Sequence, residues 1–173
     1  CVLDVGAGKG RFASELAAHA PHLQIKLFDL PPVLALASEN IRSKGLTARM
    51  ALHPGSFLHD PLPTGADMVT LDRVAHDHPD DVVRQLLAKI HAALPSDGVL
   101  LLAEPMAQTA ADGQTSEAQT DAYFHFYLLA MGAGRLRTPD ELMRLMRAAG
   151  FSGVTRLNNQ LPIHAQLLVG TKT

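Results

Sequence analysis

His76 and His78 flank Asp77 shortly after an apolar run that ends at Leu71. Imidazole titrates near neutral pH, so His76 with Asp77 beside it reads as a general base; a helix cap or surface histidine is the competing reading. A metal site is disfavoured, because histidines this close rarely converge on one ion and no third ligand stands at a convincing spacing. Glu104 closes a later apolar run, where a carboxylate can hydrogen-bond a histidine or a substrate across a cleft. A solvated loop acid is its alternative. At the start of the chain, Val2-Leu3-Asp4-Val5-Gly6-Ala7-Gly8-Lys9-Gly10 puts a carboxylate in an apolar run and glycines at alternate positions after it. This pattern reads as a buried strand opening into a tight phosphate- or nucleoside-binding turn. Asp29, in Phe28-Asp29-Leu30, can accept both hydroxyls of a ribose and would repel a 2′-phosphate. In Gly55-Ser56-Phe57 the ring suits an adenine face and the hydroxyl its edge, although a core Phe57 under a loop is equally consistent.

These residues need a scaffold that brings distant segments together, and the hydropathy pattern supplies one. Strands are expected over Val2–Val5, Leu23–Phe28, Thr47–His53, Asp67–Leu71 and Val99–Ala103, alternating with helices over Arg11–Ala20, Pro31–Lys44 and Pro79–Leu94. Gly45 suits the position just past a helix, and Pro79 the first position within one. Thr138-Pro139-Asp140-Glu141 is a capping box whose helix ends near Gly150. Strands near Gly153–Leu157 and Ala165–Val169 close the chain. A polar stretch over Gln108–Gln119 precedes a segment, Tyr123–Met131, that is apolar on every face. It reads as a core or interface helix, or as a wall of a greasy substrate channel. Strand–helix alternation with a final strand pair implies an α/β doubly wound sheet, mostly parallel with an antiparallel terminal strand, and a ligand at the strands' carboxyl ends.

The 173 residues suffice for one domain burying roughly 70% of its unfolded surface. A net charge of −2 gives no basic footprint for nucleic acid. A single cysteine, Cys1, precludes an internal disulfide and fits a reducing, cytoplasmic compartment. No apolar run approaches the ~20 residues of a membrane span, leaving at most peripheral contact. Because the chain starts inside its first strand, it is expected to be the C-terminal portion of something longer.

The glycine turn after an Asp-bearing strand, with Asp29 beyond it, resembles the S-adenosylmethionine site of class I methyltransferases. Asp4-Val5-Gly6-Ala7-Gly8, Phe28-Asp29-Leu30-Pro31, Gly55-Ser56-Phe57, Arg73-Val74-Ala75-His76-Asp77, Ala103-Glu104 and Arg137-Thr138 follow the motif order of plant and bacterial small-molecule O-methyltransferases. Glu104-Pro105-Met106-Ala107 and the stretch Asp121 to Gly132 are similar to the hydroxyneurosporene (demethylspheroidene) O-methyltransferases of carotenoid biosynthesis. The resemblance implies a Rossmann-like catalytic domain over residues 1–173, S-adenosylmethionine as cofactor and a lipophilic hydroxylated acceptor. It implies cofactor contacts from Asp4, Gly6, Gly8, Asp29, Gly55, Ser56, Phe57 and Arg73. His76 becomes the proton acceptor with Glu104 as its acid partner, and no metal is needed. The family's N-terminal dimerisation domain is not part of this stretch, and a homodimer is expected of the full-length protein. Ser56 stands where the family has Asp, His78 where tryptophan is common, and Leu136 where plant relatives carry a second glutamate. Two rival readings are a nicotinamide (NAD(P)) oxidoreductase, which wants glycine at Arg11, and a non-catalytic module on the same fold.

Overall fold

Strand β1 (Val2–Val5) is buried along its whole length, as a strand covered by helices on both faces must be. A computed structural model describes residues 1–107, 126–130, 132–158 and 165–173. After β1 come α1 (Arg11–His19), β2 (Ile25–Asp29), α2 (Pro31–Ser43), β3 (Met50–Pro54), β4 (Met68–Asp72) and a short 3-10 turn (Ala75–Asp77). Helix α3 (Asp80–Ala93), β5 (Val99–Glu104), α4 (Pro139–Ala148), β6 (Phe151–Leu157) and β7 (Gln166–Lys172) follow.

The strands form one sheet in the order β3-β2-β1-β4-β5-β7-β6. β1 to β5 pair in parallel, and β7 lies antiparallel between β5 and β6. β7 therefore runs against the other six, the expected antiparallel terminal strand. The strand order reverses between β1 and β4, and the crevice above their carboxyl ends is where an open α/β sheet receives its ligand.

Side-chain alternation gives each face its own core. Val2, Ile25 and Leu27 pack with Ala13, Ala17, Leu34, Ala37 and Ile41 of α1 and α2. Leu3, Val5, Leu71, Leu100 and Leu102 pack with the stripe Val83, Leu86, Leu87, Ile90 of α3 and with Leu142 and Met146 of α4. Each of those fully buried aliphatic side chains contributes about 1.5–3 kcal/mol. Thr138 and Glu141 form the reciprocal capping box at the start of α4.

Several boundaries shift for visible reasons. β2 begins at Ile25 rather than Leu23, because the Leu23 amide turns back to the Ala20 carbonyl. β3 begins at Met50 rather than Thr47, because the amides of Arg49 and Met50 both bond the Leu46 carbonyl in a turn after Gly45. Pro79 is the residue before α3 rather than its first residue; its extended backbone delivers the carbonyl that accepts from the Val83 amide. Glu104 is the last residue of β5, not a loop residue.

The polar stretch Gln108–Gln119 lies outside the described residues. Of the segment Tyr123–Met131, only residues 126–130 are described; they are helical, with Leu128 buried and Phe126 73% exposed. Among the described residues no helix is long and apolar enough to cross a membrane.

Candidate active site

The glycine turn is built on β2. The amides of Gly6 and Ala7 both reach the Phe28 carbonyl, at 2.9 and 3.3 Å, and the Gly8 amide donates to Asp29 Oδ2 at 2.8 Å. Gly8 has φ +56, and a Cβ there would project into open space, so the cleft side of the turn is bare backbone. Gly10, at φ +68 just before α1, does a different job: a Cβ on it would stand 2.8 Å from Leu27 Cδ2. Close helix-on-strand packing, the role of the third glycine in dinucleotide-binding turns, is thus met one residue before Arg11.

Two cavities flank this turn. One, of about 410 Å³, is lined by Asp4, Gly6, Gly8, Arg11, Asp72 and Arg73, among others. The second, of about 320 Å³, is lined by Asp29, Gly55, Ser56, Phe57, Asp77 and His78 among others, and it shares Gly6 and Arg73 with the first. Every residue expected to bind a cofactor therefore lines one cavity or the other. Asp29 is anchored by accepting from Gly8 N and, on Oδ1, from Leu30 N at 2.7 Å. Gly55 bonds the Asp29 carbonyl and leaves room for the Phe28 ring, which a Cβ would meet at 2.7 Å. Ser56 Oγ accepts from Leu58 N, while Ser56 N donates to Asp60 Oδ2 at 2.7 Å. Lys89 of α3 ties down the same loop by donating to the carbonyls of Phe57 and Asp60. Phe57 meets the His78 ring edge-on, centroids 5.2 Å apart, so His78 takes part in the aromatic wall.

Arg73 is a non-glycine residue with φ +57, held there by its amide bond to the Ala103 carbonyl on β5. Strain of this kind persists where surrounding structure over-determines it, commonly at a site. It turns the chain from β4 into the 3-10 turn that carries His76.

That turn is organised by Glu104. Oε1 accepts from the amides of Val74 (2.8 Å) and Ala75 (2.7 Å), and Oε2 from the His76 amide (3.3 Å). Oε2 also meets His76 Nδ1 at 2.7 Å. Since a carboxylate only accepts, Nδ1 is the donor of that bond, and Nε2 is the nitrogen left facing away from Glu104. Asp77 Oδ1 stands 3.3 Å from Nε2. His76 and Glu104 are buried, 4% and 1% exposed, and line neither cavity; Val74, Asp77 and His78 of the same stretch do.

Burial sets the electrostatics of the cleft. Desolvation pushes the Asp4 carboxyl up to about 7, opposed by the Thr70 hydroxyl that donates to it at 2.8 Å and reinforced by the charges of Asp72 and Asp29. Asp72 is likewise raised, by burial and then by Glu104. Burial lowers His78. The cleft is thus floored by two carboxylates, Asp4 and Asp72, that burial holds above their ordinary range. Sequence reading missed Asp72 and assigned no binding role to Arg11. The signal for Asp72 was its place at the carboxyl end of β4, next to the strand-order reversal.

An open sheet of this order, a glycine turn on β1 and an acid ending β2 define the class I methyltransferase fold. The chain belongs to the O-methyltransferase domain family, whose sequence pattern matches residues 1–152. It is 44% identical over 155 residues to the demethylspheroidene O-methyltransferase of Rhodobacter capsulatus, covering 90% of this chain and 37% of that protein. It is 34% identical over 171 residues to the 3-hydroxy-5-methyl-1-naphthoate 3-O-methyltransferase of Streptomyces sahachiroi, covering 99% of this chain and 48% of that one. The human N-acetylserotonin methyltransferase, solved in complex with SAM, superimposes with a TM-score of 0.83 at 26% identity, over 99% of this chain and 47% of that one. The chain therefore spans less than half the length of these relatives. Family membership leaves the nicotinamide reading without support.

Proposed function

We propose that residues 1–173 are the cofactor-binding catalytic domain of an S-adenosylmethionine-dependent O-methyltransferase acting on a hydroxylated carotenoid. The observation that carries this reading is the acid-floored cleft, joined through Gly6 and Arg73, beside a histidine held by a buried glutamate. The carotenoid acceptor is supported by the demethylspheroidene O-methyltransferases of two bacteria, 44% and 39% identical to this chain. A homodimeric, cytoplasmic full-length protein belongs to the same reading.

The residues present fit the cofactor. Asp29, fixed by two amides, suits a ribose diol; Phe57, with the His78 ring edge-on against it, offers an aromatic face for adenine; the buried carboxylates of Asp4 and Asp72 suit a cation. When bound, S-adenosylmethionine supplies a methyl carbon made electrophilic by its sulfonium. The chain's own work is to hold the acceptor at near-attack distance, for which positioning supplies ~7–11 kcal/mol. His76 withdraws the hydroxyl proton at Nε2 while the oxygen is alkylated, since an alcohol is too weak an acid to ionise beforehand. Glu104 holds Nδ1–H so that the basic nitrogen is the other one.

Calorimetry with S-adenosylhomocysteine and a turnover assay with the carotenoid alcohol test this reading. His76→Ala is expected to lower kcat by ~10²–10⁴-fold while S-adenosylhomocysteine affinity stays within about twofold. Unchanged turnover would remove His76 from the mechanism. Binding without turnover in the wild-type protein would make it the non-catalytic module instead.

A further inference from the structure

The 3-10 turn bearing His76 is three residues long and has no side-chain cap of its own. Glu104 takes its amides. Its carbonyls are taken from the other side, by the segment leading into α4. Arg137 Nη1 donates to the Ala75 carbonyl and Nη2 to the His78 carbonyl, each at 2.8 Å, and the Arg135 amide donates to the His76 carbonyl at 3.0 Å. Gly134 permits this approach, because a Cβ there would lie 2.2 Å from the His76 carbonyl oxygen.

Arg137 is 2% exposed, and a buried guanidinium is costly unless every donor is directed. Its ion partner is Asp80, at the start of α3: Oδ1 accepts from Arg137 Nε at 2.9 Å and Nη2 at 2.7 Å. Asp80 also binds Arg135 through both oxygens, and Arg135 reaches on to Glu141 at 3.1 Å. An ion-pair network could join α3 to α4 without touching the turn. Here the guanidinium bridges two carbonyls flanking His76, a planar two-pronged contact that an ammonium cannot reproduce.

Resting on the function proposed above, we infer that Arg137 is a positioning residue for proton transfer: by gripping the carbonyls of Ala75 and His78 it keeps the His76 ring on Glu104. In the full-length protein, the His76 Nδ1–H resonance is expected as a slowly exchanging, strongly downfield NMR signal. Arg137→Met and Arg137→Lys should each abolish that signal and lower kcat by about 10²-fold, the scale of a 1 Å misplacement, with KM and S-adenosylhomocysteine affinity within about twofold. Arg137→Lys keeps a cation beside Asp80, so it decides the matter should the methionine variant fail to fold. Arg147→Met, which removes a guanidinium–carbonyl bond to Val154 elsewhere on α4, is the control and should leave the signal and kcat intact. A His76 signal and kcat that survive Arg137→Lys would overturn the inference, as would equal losses in Arg147→Met. The NMR signal reports on the grip even if S-adenosylhomocysteine fails to bind, so failure of the functional reading is distinguishable.

Discussion

Asp4→Asn is the sharpest test of the cleft's electrostatics. The substitution keeps shape and can still accept the Thr70 hydroxyl bond, but it cannot ionise. In the folded protein burial lifts the Asp4 carboxyl from 3.8 to about 7. A group raised in this way adds stability below its unfolded value, and that contribution is lost as pH climbs through the folded one. The wild-type protein therefore carries a growing penalty between about pH 4 and 7 that the asparagine variant escapes. A rise of about three units corresponds to ~4 kcal/mol at 1.36 kcal/mol per unit, an upper bound once the cleft relaxes. Urea denaturation at pH 4 and pH 8 reads the difference. The two proteins should be nearly equal at pH 4, and Asp4→Asn should be the more stable at pH 8. Ligand binding should move the opposite way, because a cation beside Asp4 favours its ionised form. Asp4→Asn should weaken S-adenosylmethionine at pH 8 far more than the neutral S-adenosylhomocysteine. A variant no more stable than wild type at pH 8 would show that the buried carboxylate is not strained, and the argument for a cation-seeking floor would fall with it.

Phe57→Ala should weaken S-adenosylhomocysteine binding by ~1–3 kcal/mol, the worth of one base–aromatic stack, and lower thermal stability as well, because the half-buried ring also packs against the main core; calorimetry reads the affinity, and a loss of stability with unchanged affinity would assign Phe57 to the core alone. Lys89→Met removes the donor to the Phe57 and Asp60 carbonyls and should weaken nucleoside binding while leaving kcat at saturating cofactor untouched. A fall in kcat alone would contradict that.

The scaffold was legible where local chemistry dictates it. Apolar runs marked the strands, the stripe from Val83 to Leu94 marked α3, and Thr138 to Glu141 marked the start of α4. The residues that line the two cavities were legible because glycines and strand-terminal acids have few other reasons to stand at those spacings. Of the environment of His76, only its acid partner Glu104 was. Arg137 reaches the turn and Asp80 across separations of 57 to 62 residues that leave no local periodicity. Asp80 read only as a helix-dipole acid, and Arg137 only as part of a motif. Asp72 looks like any polar strand end until the sheet order places it over the crevice.

Asp29 shows what the turn gains from being tied together before any ligand arrives. Both of its oxygens already accept backbone amides, from Gly8 and Leu30, so the side chain has no rotamers left to lose. Freezing such a group on binding ordinarily costs ~0.5–1.5 kcal/mol, and here folding has absorbed that loss. On the function proposed above, recognition of the sugar rests on the lone pairs that remain, whose directions the backbone dictates. A 2′-deoxy sugar should be rejected by an empty direction in space, with no compensating swing of the carboxylate.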